Sequence, residues 1–317
     1  MSINVFKKIA LLGCIAASAS AMAGPLNDYN LILSNDLNVS GGSGHIEGKA
    51  FIGGDVINGS IYAQKLNRSS TDVLTKVVGN FASNNGTHVE AGYLAYQGNF
   101  TGPTNICNSN APGLSGSGCI KKVTDNSLTA EKASILDELK SESDYYKSLA
   151  TSADFVKSGD NNNSIFTYSG VATDLAVFNI TAADLTGPQW NIDFGLAVNV
   201  LINVSGSVFN AGNTKNGTSG FTNNANNVLW NFFDATSLNF GDSWYGSVLA
   251  LNADIRTGSN LNGAIAAKSY LGNGEIHQGH WSYTPPQPPP TKVPEPSSLL
   301  LSLLGLGLIL LGRARRK

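Results

Sequence analysis

The sequence predicts a mainly β fold, a single β-solenoid-like (β-helix) domain with one long amphipathic α-helix packed alongside. Three observations carry this expectation. First, from Leu31 onward short apolar clusters (Leu31-Ile32-Leu33, Leu37 with Val39, Ile46, Phe51-Ile52, Val56-Ile57, Ile61) alternate with Gly41, Gly42, Gly44, Gly48, Gly53, Gly54 and Gly59. Brief apolar runs between residues that tolerate positive φ read as strands joined by tight turns, and their recurrence about every five residues suits stacked rungs. Second, residues 128–150 contain neither Gly nor Pro, and Leu128, Ile135, Leu136, Leu139, Tyr146 and Leu149 form one helical stripe. Third, the β pattern resumes beyond that segment, at residues 165–168, 176–180, 198–204, 208–209, 228–233, 246–250, 255 and 264–267. A β-sandwich would show similar punctuation. The rung-like recurrence favours the solenoid.

The chain opens with Lys7 and Lys8, an apolar stretch at 9–17, and Ala21-Met22-Ala23. That order is a signal peptide, residues 1–23, with Ala21 and Ala23 setting cleavage before Gly24. Leu11-Leu12-Gly13-Cys14 resembles a lipoprotein box, but the apolar run before Cys14 is short. With the signal removed, two cysteines remain, Cys107 and Cys119, in a compartment where disulfides persist. They flank a stretch of Asn, Gly, Ser and Pro, and a structural disulfide would pin that loop. A metal or redox pair would want a CxxC or a nearby His, and neither is present.

Residues 24–283 are read as one β domain, because no linker divides them. The helix begins after Asp125, Asn126 and Ser127, which offer capping oxygens. Its polar face mixes Glu131, Lys132, Glu138, Lys140 and Glu142, unlike the basic face of a membrane-surface helix. It is expected to cover apolar β surface. Strands on both sides of it imply insertion into one fold. Residues 284–292, Thr-Pro-Pro-Gln-Pro-Pro-Pro-Thr-Lys, form an extended polyproline spacer.

The whole chain has 20 Lys+Arg and 22 Asp+Glu. Setting aside Lys7, Lys8, Glu295, Arg313, Arg315, Arg316 and Lys317 leaves 14 basic against 21 acidic residues, a net of −7. An acidic body lacks the phosphate-neutralising stripe that nucleic acid requires, so no nucleic-acid partner is expected.

Residues 293–317 read Val-Pro-Glu-Pro-Ser-Ser, a leucine-rich run at 299–311, and a basic end with Arg313, Arg315, Arg316 and Lys317. With its flanking residues the run approaches the roughly 20 apolar residues that span a bilayer, and the basic cluster acts as a cytoplasmic membrane stop. This three-part order resembles the PEP-CTERM sorting signal, the substrate of bacterial exosortases, with Pro294, Glu295 and Pro296 as the sorting motif. The resemblance implies signal peptidase and an exosortase-type enzyme as partners. It also implies transient inner-membrane anchoring through the C-terminal helix, then release to the cell surface or extracellular matrix.

A second resemblance lies in Asp28-Tyr29-Asn30, His45-Ile46-Glu47-Gly48, Gly53-Gly54-Asp55, Leu201-Ile202-Asn203-Val204-Ser205-Gly206, Trp230-Asn231-Phe232, Gly246-Ser247-Val248-Leu249-Ala250 and Gly274-Glu275-Ile276-His277. In this order they resemble the choice-of-anchor A domain, with one departure at Leu251, where a Pro would be expected. That family implies an exported surface domain and no known catalytic activity.

A search for chemistry returns little. No Gly-x-Ser-x-Gly, HExxH, P-loop or dinucleotide fingerprint is present, so no catalytic residue, metal site or cofactor is assigned and no enzymatic activity is expected. His277 and His280 beside Glu275 form the most reactive-looking group, but a metal site would need a further ligand from elsewhere. They are read as polar loop residues. Glu47, Asp55, Asp234 and Asp254 are read as turn residues rather than paired acids. Residues 160–163 lack calcium-loop spacing. Trp190, Trp230, Trp244 and Trp281 would serve either a core or a sugar-binding platform, and no Thr-x-Thr ladder suggests an ice-binding face. The expected function is structural or adhesive, in the envelope or an exopolysaccharide (biofilm) matrix, with exopolysaccharide as a further partner. The alternative is a carbohydrate-binding or polysaccharide-degrading module on the same scaffold.

Overall fold

The computed structural model describes residues 24–40, 44–58, 61–82, 84, 86–102, 106, 122–156, 164–185, 189–212 and 216–285. Residues 23–284 form one compact unit. Several expectations fall outside the described residues: Ala21 and Ala23, Cys107 and Cys119, residues 160–163, Pro294, Glu295 and Pro296, the apolar run and its basic end. Among the described residues no helix is long and apolar enough to cross a membrane.

The expected solenoid is present. One turn runs through the strands Leu31–Leu33, Leu37–Val39 and His45–Ile46, and the next through Ala50–Ile52, Val56–Ile57 and Ile61–Tyr62. Each strand pairs in parallel with its counterpart a turn away: Leu31 with Ala50, Leu37 with Val56, His45 with Ile61. The short sequence period is thus one side of a three-sided coil. The alternation of a strand sends Leu31, Leu33, Leu37, Ile46, Ala50, Ile52, Val56 and Tyr62 into a continuous dry core. Among the described strands one pairing is antiparallel, Asp154–Val156 with Ser164–Thr167.

Between sides, the chain turns on stacked Gly-Asx corners. Asp36 Oδ1 accepts the Asp55 N–H at 2.7 Å, Asp55 Oδ1 accepts the Asn80 N–H at 2.6 Å, and Asn80 Oδ1 accepts the Asn99 N–H at 3.0 Å. Gly54, Gly79 and Gly98 precede the last three of these. A Cβ on Gly79 would run into the Gly54 backbone, and one on Gly98 into that of Gly79, so glycine is what lets successive corners touch.

The turns are not stacked in chain order. Along one broad side the strands lie in the order Thr173–Thr181, Ala197–Ser205, Val228–Asn231, Ser247–Thr257, Ile265–Gly272, Leu31–Leu33, Ala50–Ile52, Val73–Val77, Tyr93–Tyr96, Lys122–Thr124. The N-terminal turns therefore build outward from the middle. The helix Leu128–Ser148 returns the chain to the far end, and the later turns build back until Ile265–Gly272 docks against Leu31–Leu33. Asn30 fastens this seam: its Nδ2 donates to Gly263 O and His277 O, both at 2.9 Å, and its Oδ1 accepts the Gly48 N–H at 3.0 Å.

The helix lies along this broad side, as expected. At about 1.5 Å per residue its 21 residues reach about 32 Å. Ile135, Leu139 and Tyr146 pack on the outward-facing Ile32, Phe51, Val177, Leu201, Leu229, Leu249 and Ala266. Capping is shared between Asp125 and the sheet. Asp125 Oδ1 accepts the Ser127 N–H at 2.9 Å, while Gln97 Oε1 accepts the Thr129 N–H at 3.0 Å. At the other end a ladder of asparagines holds the helix backbone. Asn179 donates to Leu149 O at 2.9 Å, Asn203 to Tyr146 O at 2.7 Å, and Asn231 to Ser143 O at 3.2 Å. The ladder also bonds to itself, Asn231 to Asn203 and Asn203 to Asn179, each at 2.8 Å. Among the described residues a second broad side carries no helix.

Candidate functional site

The uncovered side is a regular face of parallel strands. It comprises Val208–Asn210, Ser237–Phe240, the second half of Ser247–Thr257, the second half of Ile265–Gly272, Leu37–Val39, Val56–Ile57, Phe81–Ala82 and Phe100–Thr101. Its inward positions, Phe209, Leu238, Phe240, Ile255, Tyr270, Leu37, Val56 and Phe81, are buried. Alternation then places Asn210, Asn239, Arg256, Leu271, Asn38, Ile57, Ala82 and Thr101 outward in one row. With strands about 4.8 Å apart, the row extends about 34 Å. A parallel row carries Ser237, Asp254 and Ser269, followed by the corner ladder Asp36, Asp55, Asn80 and Asn99. The hydrogen bond from Ser269 Oγ, with Lys268 assisting, holds the Asp254 carboxyl below its ordinary range.

The third, narrow side holds the titratable cluster. The strands Leu261–Asn262, Ile276–His277 and His45–Ile46 lie side by side, with Leu261, Ile276 and Ile46 facing the core. Outward, Glu275 Oε2 is 2.9 Å from His277 Nε2, and Glu275 Oε1 is 3.4 Å from His45 Nδ1. Glu47, the residue after Ile46, brings its carboxylate within 4.8 Å of the Glu275 and His277 ligand atoms. An open groove of about 300 Å³ adjoins the cluster, lined among others by Asn223, Asn226, Asn227, Tyr245, Asn262 and His277.

The residues singled out in the sequence therefore divide. Glu275 and His277 do come together, and from the opposite end of the chain Glu47 joins them while His45 lies against Glu275. His280 is not part of the cluster; its backbone N–H donates to Asn226. Asp55 acts as a corner residue, Asp254 bonds to Ser269, and Asp234 pairs with Lys147 of the helix at 3.5 Å. A tryptophan platform is excluded. All four tryptophans are at most 2% exposed. Trp190, Trp230 and Trp244 pack on one another and, with Phe209, fill the interior of the coil. Trp281 instead donates its indole N–H to Tyr146 Oη at 2.9 Å beneath the helix.

A family model described as "Putative Ice-binding-like adhesive domain" matches residues 22–278. The chain belongs to this ice-binding-like adhesive family. The match covers the stretch in which the anchor-domain motifs lie. A second model, the PEP-CTERM protein-sorting motif, matches residues 292–317. It marks this adhesive-domain chain for exosortase-type sorting, hence for export and placement at the cell surface or beyond. No curated protein matches the chain. Among solved structures, the ice-binding protein_1 DUF3494 domain of Shewanella frigidimarina aligns at 13% identity, covering 82% of this chain and 99% of its own, with a TM-score of 0.31. A glycosylated ice-binding protein from an Arctic yeast aligns at 12% identity, covering 87% and 98%, with a TM-score of 0.32.

Proposed function

We propose that this adhesive domain acts without catalysis, holding the protein to hydroxyl-rich polymer of the envelope or biofilm matrix through its uncovered side. The observation that carries the reading is an adhesive-domain match over residues 22–278 and a sorting motif over 292–317 in one chain. The uncovered side supplies a plausible physics: amide, hydroxyl and carboxylate groups repeat along two straight rows at strand spacing, and a repeating polymer can meet several at once. Each contact is weak, and simultaneous contacts multiply. On this reading signal peptidase removes residues 1–23, the domain spans 24–283, and residues 284–292 are the spacer. The tail 293–317 is held in the inner membrane until it is processed at Pro294-Glu295-Pro296.

Ice is the other ligand named in the family description. In the central outward row Thr101 is the single Thr among Asn, Arg, Leu, Ile and Ala, a mixture that favours polymer over an ice lattice. A polysaccharide-degrading role would draw on the Glu47 and Glu275 pair, but that pair is tied to imidazoles at the coil's seam.

The test uses the host organism. Replacing Pro294, Glu295 and Pro296 by Ala should leave an uncut protein in the membrane fraction. Replacing exposed Asn239 and Arg256 by Glu should leave export intact and lower retention in washed matrix several-fold. Unchanged retention of the Asn239/Arg256 variant would overturn the assignment to the uncovered side. Unchanged processing of the tail variant would overturn the sorting route.

A further inference from the structure

We infer that Glu47, Glu275 and His277 form a binding site for a divalent transition-metal cation of the zinc class, with His45 set against Glu275, placed across the seam that closes the coil. The argument begins with two mirrored triplets, His45-Ile46-Glu47 and Glu275-Ile276-His277. Parallel pairing of Ile276 with Ile46 buries both isoleucines and turns the flanking side chains outward. Because one triplet is the reverse of the other, Glu275 lies beside His45 and His277 beside Glu47. Each imidazole therefore meets a carboxylate from the other strand.

The proton inventory then points to a cation. Asn262 Nδ2 donates to Trp244 O at 3.1 Å, so Asn262 Oδ1 is the atom facing His277 Nδ1 at 2.7 Å. An amide oxygen only accepts, which puts the proton of the neutral ring on Nδ1. The Nε2 lone pair consequently faces Glu275 Oε2 at 2.9 Å, acceptor against acceptor. Asn260 offers little relief: its Oδ1 accepts the Glu275 N–H at 3.0 Å, and its Nδ2 stands 3.4 Å from Nε2. A positive centre between Nε2 and the carboxylate resolves the conflict, either a second ring proton or a metal. A histidine whose far nitrogen donates to a fixed acceptor is the usual arrangement of a metal ligand.

The donor set selects the kind of metal. An imidazole with two carboxylates suits zinc and its neighbours, whereas calcium and magnesium prefer oxygen alone. The three ligand atoms lie within 4.8 Å of one another, and the Nε2–Oε2 separation of 2.9 Å is a little under the edge of about 3.3 Å expected for tetrahedral zinc with bonds of about 2.0–2.1 Å. Glu47 is steadied by the Gln278 N–H at 2.8 Å, while Lys65 Nζ, 3.9 Å from its other oxygen, is on an exposed side chain free to withdraw. A metal here joins strands some 230 positions apart in the chain and clasps the last turn to the first.

The test uses untagged full-length protein in detergent, stripped with EDTA and titrated with zinc chloride at about pH 8, where an ordinary imidazole is neutral. Uptake of one equivalent with micromolar or tighter affinity is expected, and no uptake of calcium. H277A and E275Q should each weaken zinc binding at least tenfold, as should N262A through loss of the bond that orients the ring. H280A should bind like the parent protein. In the parent itself zinc should shield His277, but not His280, from diethylpyrocarbonate; this readout stands even if a variant fails to fold. Absence of uptake, uptake unchanged in both H277A and E275Q, or equal labelling of the two histidines with and without zinc would overturn the site and leave an imidazolium–carboxylate pair in its place.

Discussion

Replacing Asn231 by Ala should detach the C-terminal half of the long helix from the sheet. Asn231 is fully buried, donates to Ser143 O and Asn203 Oδ1, and accepts from Ser143 Oγ at 2.8 Å. The variant strands at least two buried polar atoms, Ser143 Oγ and Asn203 Oδ1. Each orphaned group costs about 1–3 kcal/mol, so the expected loss is about 3–5 kcal/mol. Urea unfolding followed by circular dichroism measures it. Ser143→Ala alone should cost less, and the double variant less than the sum of the two, with a coupling of about 1–2 kcal/mol. A loss under about 1 kcal/mol for Asn231→Ala, or strict additivity, would refute the view that the asparagine ladder holds the helix.

Glu142 gives a pH dependence. Burial, with the nearby Glu138 charge adding, raises its pKa from an ordinary 4.5 to about 7. The folded state thus holds a proton that the unfolded state releases, so this contribution is complete below about pH 4.5 and is lost as pH rises through 7. Glu142→Gln should stabilise the protein by up to about 3 kcal/mol above pH 7, with the gain vanishing below pH 4.5 in thermal melts. The Glu142 carboxylate touches Gly24, so a chain cut before Gly24 should show a smaller gain, its new ammonium group answering the charge. Gly79→Ala should destabilise the coil by several kcal/mol, because the added Cβ meets backbone that cannot yield, whereas exposed Asn80→Ala should cost about 1 kcal/mol. Denaturant midpoints compare the two, and equal losses would deny the close stacking of corners.

The parts of this molecule that were legible in the sequence are those with local causes. Leu31, Leu37, Ile46, Ile52 and Val56 announce the sides of the coil because each side needs its own inward residue, whereas at Ile61-Tyr62 it is Tyr62 that faces the core. The helix is legible because residues 128–150 hold one apolar stripe without a breaker. The corner repeat was also present, as Gly54-Asp55-Val56, Gly79-Asn80-Phe81 and Gly98-Asn99-Phe100, but its spacings of 25 and 19 residues disguise the period. What no local signal carries is the stacking order. Nothing near Leu31 says that its neighbour is Ile265, so the closeness of Glu47 to His277 and of His45 to Glu275 stayed hidden. The tryptophans suit a core more often than a sugar platform, and only the packing of the coil places all four inside.

The seam also decides how the domain meets a mechanical load. The chain leaves at its waist, where the Trp281 N–H is bonded to Leu26 O at 3.0 Å, rather than at either end of the coil. Tension applied through the tail first works on Ser282 and buried Trp281, which bond to Asn226, Leu26 and Tyr146, and only then on the two-residue strand Ile276–His277. Beyond it lies Ile265–Gly272, which is bordered on one flank by Ser247–Thr257 and on the other by Leu31–Leu33 and Leu37–Val39. Drawing that strand out means breaking both rows of bonds together, so a load is met first by an anchor beneath the helix and last by a strand paired on both flanks.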